Sequence, residues 1–384
     1  MVKSGLERLL KESRKDLLDR RLGLLCHQAS ILPNLTPAWV ALKAKFSQKL
    51  KLLFSPQHGL FGEKQANMIA SYEIVEPETG VPVISLYGPR LAPEPEHLAE
   101  IDILLVDLQD VGTRVYTYIW TLLLTMKACS KNGVKLIVLD RPNPIGGKIE
   151  GPILEEKFFS FVGLAPIPMR HGLTIGELAL YLCQKFSLDL ELEVIPMEGW
   201  SRDMFFPETG LPWVSPSPNM PRFETSLVYP GQVILEGTNL SEGRGTTMPF
   251  EVFGAPWLKV LALKEFFSKI EGIKVQIMHF IPWFDKWAGK LCQGIRLWIK
   301  EPQTYQPVKT TLLMLKEVAA QNPEFTFRSP PYEYEWSKSP FDIIVGKEEL
   351  REALITQNEE HILTLLEEGT KEFQEEVEGL KLYV

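Results

Sequence analysis

The segment Asp107-Leu-Gln109-Asp110-Val-Gly-Thr-Arg114-Val-Tyr116-Thr-Tyr118 sets two acids, an amide, a guanidinium and two phenols close together behind an apolar run. A second cluster, Glu236-Gly-Thr-Asn239-Leu-Ser-Glu242-Gly-Arg244-Gly, packs acids, an amide and an arginine among three glycines that let backbone approach a ligand. A third, Ser55-Pro-Gln57-His58-Gly59-Leu-Phe-Gly62-Glu63, places an imidazole and an acid on a glycine-bounded loop. Carboxylates beside planar donors and aromatic faces suit a polyhydroxylated ligand. Cleaving a glycosidic bond needs a carboxyl pair, one member kept protonated to serve the leaving oxygen and one ionised. Asp107 and Gln109 share a face if their strand continues, and Arg114 at the next turn is placed to keep a carboxylate ionised. The alternative for this segment is a capping Asp with a structural Arg–Asp pair.

Other chemistries lack their usual groups. No G-x-G-x-x-G follows a strand and no G-x-x-x-x-G-K-[ST] occurs, so neither dinucleotide nor triphosphate finds its phosphate cradle. The six histidines show no zinc spacing, no G-x-S-x-G elbow is present, and the four cysteines lie far apart as reduced, buried thiols would. A net charge of -8 and a pI near 5.5 argue against a nucleic-acid partner. Met1 to Leu25 mixes basic residues with leucines instead of a signal-peptide core, and no apolar window is long enough to span a bilayer, so the expected location is the cytoplasm with no membrane partner.

Elements must position these clusters. Runs apolar on both faces end in polar residues at Leu22–Leu25, Leu50–Phe54, Val81–Leu86, Ile101–Val106 and Val134–Leu139. With helices predicted at Pro37–Ala44 and Tyr116–Ser130 between them, the alternation predicts an α/β, Rossmann-like doubly wound sheet whose ligands bind beyond the strands' carboxyl ends. Capping boxes at Ser4-Gly-Leu-Glu7 and Thr174-Ile-Gly-Glu177 open two further helices. Gly199 to Gly245 reads as ordered loops with a short strand at Gln232–Glu236. Beyond it, Leu258–Ile270, Gly294–Ile299, Val308–Ala320 and an acidic amphipathic close from Lys347 to Gly379 suggest a smaller α/β domain. The expected division is 1–250, catalytic, and 251–384.

Across roughly Gly23 to Trp257 the chain resembles the exo-β-N-acetylmuramidase family. The resemblance rests on Pro56-Gln-His58-Gly59, Ser85-Leu-Tyr87-Gly88, Asp107-Leu-Gln109-Asp110-Val-Gly, Tyr116-Thr-Tyr118, Asp140-Arg141-Pro-Asn143-Pro-Ile-Gly-Gly147, Arg170-His171-Gly172, Pro216-Ser-Pro-Asn219-Met-Pro221 and Gly237-Thr-Asn239-Leu-Ser-Glu242-Gly-Arg244-Gly. It implies hydrolysis of terminal β-1,4-linked N-acetylmuramic acid from small muropeptides or disaccharides without metal or organic cofactor, by a monomer or homodimer. A catalytically silent muramyl-sugar-binding protein of cell-wall recycling is the alternative. Family members often carry Glu where this chain has Gln57, and an amide has no proton to titrate. The acid role then falls to Glu63 first or Glu242 second, with Asp107 or Asp110 opposite. Gln57, His58, Tyr87, Gln109, Arg114, Tyr116, Tyr118, Arg141, Asn143, Asn219, Asn239 and Arg244 are the expected sugar contacts.

Overall fold

The computed structural model describes residues 1–65 and 68–384. In chain order its strands are β1 (Leu22–Cys26), β2 (Leu50–Ser55), β3 (Ile74–Val75), β4 (Pro82–Ser85), β5 (Ile103–Asp107), β6 (Lys135–Leu139), β7 (Glu150–Ile153), β8 (Pro168–Arg170), β9 (Leu192–Ile195), β10 (Val252–Ala255), β11 (Ile273–Phe280) and β12 (Cys292–Ile299). A seven-stranded sheet runs β3-β4-β2-β1-β5-β6-β9, parallel throughout except for the short edge pair β3–β4. β1 and β5 are buried along their whole length, as a parallel strand covered on both faces must be. This is the α/β fold that the apolar runs predict.

Helices cover both faces of the sheet. Tyr118–Asn132 follows β5 and is stopped by Gly133 at φ 64°, a left-handed cap that favours glycine. Ile175–Lys185 starts at the Thr174–Glu177 capping box, and Gly5–Lys11 at the Ser4–Glu7 box. No helix among the described residues is long and apolar enough to cross a membrane.

The smaller second domain holds the antiparallel sheet β10-β12-β11 with helices Val260–Ser268 and Pro307–Gln321. The acidic close is three short helices, Glu348–Ile355, Glu359–Glu367 and Thr370–Val377, broken where Asn358 caps one and Gly369 turns at φ 77°. One cluster of buried apolar side chains runs from Leu25 to Val377 and so joins both domains.

Two expectations fail. The stretch expected as loops contains the helix Phe223–Gln232, and the expected strand Gln232–Glu236 is the end of that helix leading into a 3-10 turn, Val233–Gly237. Pro230-Gly231 looks like a chain breaker. Gly231, however, serves close packing: a Cβ there would stand 2.1 Å from the carbonyl oxygen of Pro307. β11, with half-exposed alternating residues, and the edge strand β9 carry weak apolar signals and went unpredicted.

Candidate active site

Loops after β2 and β5 meet segments of the second half of the chain around a narrow cavity. Gln57 and His58 come from the first loop and Tyr116 and Thr117 from the second. Ser217 and Asn219 stand at one side, while Met220, Val162 and Phe250 give it apolar wall. Glu236 and Arg244 enter from the turn after Gln232 and the glycine-rich loop, and Tyr332 and Glu333 from a tight turn closed by Tyr332–Glu335 backbone bonds of 2.9 Å. A wider outer chamber shares Glu236, Arg244, Tyr332 and Glu333 with it. The two acids therefore stand where one space passes into the other.

The backbone is strained at this place. His58, Phe250, Glu333 and Tyr334 have φ of 75°, 62°, 45° and 65°, a left-handed region that non-glycine residues rarely occupy. Each costs on the order of 1–3 kcal/mol, and such costs gather where surrounding structure fixes a functional side chain. The Glu333 turn is one in which fold stability is spent on aiming a carboxyl group.

The two acids have opposite surroundings. Glu236 is paired with Arg244, whose Nη2 and Nε lie 2.6 and 3.1 Å from Oε1, and it accepts a 2.7 Å hydrogen bond from the Tyr332 hydroxyl at Oε2. Glu333 has no cation partner among the described residues. It accepts from the Tyr87 hydroxyl at 2.7 Å and from Gln57 Nε2 at 3.4 Å. Burial pushes its pKa up to about 7; the Tyr87 hydrogen bond opposes that, and the nearby Glu236 charge adds to it. A buried carboxyl kept protonated beside one held by arginine is the division of roles that acid-catalysed glycoside cleavage requires.

Gln57 bridges this network. Its Oε1 accepts from Thr117 Oγ1 at 2.6 Å, which fixes the amide so that Nε2 faces Tyr87, at 3.0 Å, and Glu333. His58 Nδ1 stands 2.5 Å from the Lys64 carbonyl oxygen, a contact only the protonated nitrogen can make, so Nε2 is left as acceptor. Burial lowers the His58 pKa to about 4, which keeps the ring neutral.

Of the expected contacts, Gln57, His58, Tyr116, Asn219 and Arg244 line the cavity, and Tyr87 stands directly behind Glu333. The expected catalytic acids lie elsewhere. Asp107 is fully buried in an ion pair with Arg141, Nη2 to Oδ2 at 2.8 Å, at the end of β5. The strand stops at Asp107, and Gln109 turns to the carbonyls of Asp110 and Pro142 at 2.8 and 2.9 Å. Asp110 Oδ2 takes the Gly112 N–H at 2.7 Å and stands 3.1 Å from His171 Nε2. Glu63 is exposed, outside both chambers, with its carboxylate against Gly59. Glu242 is buried, yet Lys286 Nζ at 2.5 Å and Arg244 Nε at 3.3 Å outweigh the effect of burial and lower its pKa, so it is held ionised.

Several expected sugar contacts are scaffold. Arg114 holds no carboxylate; it donates to the carbonyls of Pro152, Ile167 and Ile344 at 2.7, 3.0 and 2.6 Å. Tyr118 donates to the Pro216 carbonyl at 2.7 Å, and Asn143 ties a turn to the Leu173 carbonyl at 3.0 Å. Asn239 pairs with the backbone of Glu324 and Thr326 at 2.7 and 3.1 Å. Reading the sequence passed over Glu236 as an acid in its own right and missed Thr117, Ser217, Tyr332 and Glu333. The doublet Tyr332-Glu333 has no local signal beyond its place in a Pro-bounded aromatic stretch. Among the described residues no group of three or more His, Cys, Asp and Glu side chains is arranged to hold a metal ion.

Comparison with known proteins gives concordant matches. Two family models match in tandem, the N-terminal part of exo-beta-N-acetylmuramidase NamZ over residues 22–224 and its C-terminal part over 227–383. The peptidoglycan beta-N-acetylmuramidase NamZ of Bacillus subtilis is 46% identical over 333 residues, covering 85% of this chain and 80% of that protein. Two crystal structures of DUF1343-family proteins from Bacteroides fragilis superpose over 100% of this chain and 99% of theirs. Their TM-scores are 0.88 and 0.76, at 32% and 26% identity.

Proposed function

Since the chain belongs to the exo-β-N-acetylmuramidase NamZ family, we infer that it is a glycoside hydrolase that releases terminal β-1,4-linked N-acetylmuramic acid from peptidoglycan fragments. The observation that carries a mechanism for this chain is the Glu236–Glu333 pair at the junction of the two chambers. The terminal aminosugar docks at that junction. Gln57, His58, Tyr116, Asn219 and Arg244 offer donors and acceptors to that ring.

Glu333, protonated near neutral pH, gives its proton to the leaving glycosidic oxygen as the bond to the anomeric carbon breaks. Glu236 faces the positive charge that develops on the ring, its own charge balanced by Arg244 in the resting site; water then bonds to the anomeric carbon and passes a proton to the Glu333 carboxylate, which restores the acid. The amide at Gln57 is a positioning group: it holds Glu333 and Tyr87 and carries no proton itself.

The test is release of para-nitrophenol from the β-N-acetylmuramide beside the β-N-acetylglucosaminide, with Glu333→Gln and Glu236→Gln in parallel. The expected result is muramide-selective release by the unaltered protein and its loss in both variants. Full activity in either variant would remove that residue from the mechanism.

A further inference from the structure

The small sheet of the second domain ends on a long, unguarded edge. β11 is the outermost strand of β10-β12-β11 and has eight residues, whereas the edge strands of the large sheet, β9 and β3, have four and two. β11 pairs with β12 without a break in register, contains no proline, and carries one lysine, Lys274, near its start. Shortness, proline, bulges and charge are the devices that keep an edge from pairing with another chain. Among the described residues no backbone group of Ile273–Phe280 bonds to anything beyond β12, so every second residue turns an N–H and a C=O outward. The opposite edge is closed: Gly254 of β10 exchanges two 2.9 Å bonds with Ser241.

Apolar surface gathers along the open edge. Val275 and Ile277 are half-buried, opposite Leu297 and Ile295 on the helix-covered side of the sheet. Leu261, on the helix Val260–Ser268 that packs against β11, is 75% exposed, and Ile281 at the end of the strand is 50% exposed. Outward main-chain groups beside uncovered aliphatic side chains are what a further strand would satisfy.

We propose that this strand is the β11 of a second copy of the chain, antiparallel about a two-fold axis at Gln276, so that two three-stranded sheets become one continuous sheet. A two-fold contact must be its own complement, and β11 is. Opposite residues of an antiparallel pair share a face. With Gln276 opposite its equivalent, Val275 meets the second copy's Ile277 on the helix side, and Lys274 meets its Met278 on the other. Aliphatic side chains thus pair on the covered side, and no charge stands opposite its like. Gln276 Oε1 accepts from Trp298 Nε1 at 3.4 Å, which leaves the amide N–H groups for the facing glutamine.

Sedimentation equilibrium of the full chain should give twice the chain mass of 43.7 kDa. Gln276→Cys should form a disulfide-linked dimer on mild oxidation, because directly opposite residues stand roughly 4.5–5.5 Å apart. Lys274→Cys, displaced along the strand from its equivalent, should not. Gln276 is exposed, so a charge placed there leaves the core undisturbed. Gln276→Lys and Gln276→Glu should each weaken the dimer by about tenfold or more, since like charges then face one another across the axis. An equimolar mixture of the two variants should restore it, a rescue that misfolding cannot produce. A chain that stays monomeric, a dimer indifferent to both substitutions, losses that mixing does not repair, or a dimer that Gln276→Cys fails to link would overturn the proposal.

Discussion

The reaction turns on the protonation of one side chain. Because Glu333 acts as the acid form and its pKa is raised to about 7, kcat/KM should fall as pH rises through about 7. Glu333→Gln should lower kcat by about 10²–10⁴-fold and remove that limb. Tyr87→Phe deletes a hydrogen bond that favours the ionised carboxyl, so the limb should move to higher pH; a downward shift in the pH–rate profile would contradict the assignment. Gln57→Glu adds a like charge beside Oε1 and should move it the same way. At this scale the sequence was half legible. The loops carrying Gln57, His58, Tyr116 and Arg244 announce themselves by dense polar chemistry at strand ends. Asp107 and Arg141 announce themselves equally well and are an internal ion pair, because a buried charge needs a partner as much as a substrate needs a catalyst. Glu333 stands in a turn whose significance only the fold supplies.

Elements make the pair by close packing. On either side of Glu236, Gly231 admits the carbonyl of Pro307, and Gly237 lies where a Cβ would come within 2.5 Å of Phe341 Cα. Gly231→Ala should therefore destabilise by about 1–3 kcal/mol and lower kcat by displacing the turn, as denaturant melts and rate measurements would report. Lys286 ties that turn to the loop after β11 and neutralises Glu242. Lys286→Met leaves a buried carboxylate without its closest cation and should cost about 3–5 kcal/mol, much of it recovered in Lys286→Met/Glu242→Gln. The parallel strands were readable as runs buried on both faces and the capped helices by their boxes. The helix Phe223–Gln232 was not, because Pro230-Gly231 reads as a break when its role is contact with a helix that begins only at residue 307.

The whole molecule is joined by its core and its tail. Apolar packing is continuous from Leu25 to Val377. Tyr383 returns to the first domain, donating to Asp140 at 2.5 Å and accepting from the Met197 N–H at 2.8 Å, and the Leu382 N–H reaches Glu177 at 2.8 Å. The two sheets should consequently unfold in one cooperative transition; resolved calorimetric peaks would show that they melt separately. Tyr383→Phe should lower stability by about 1–3 kcal/mol without dividing that transition. Gln57 and Glu333, in contact in the folded chain, are 276 residues apart along it. Synthesis proceeds from the other end, so a growing polypeptide carries the sugar-contacting loops long before it carries the acid. On this assignment a chain shorter than 333 residues lacks the proton donor and should not cut, however well its first sheet has folded.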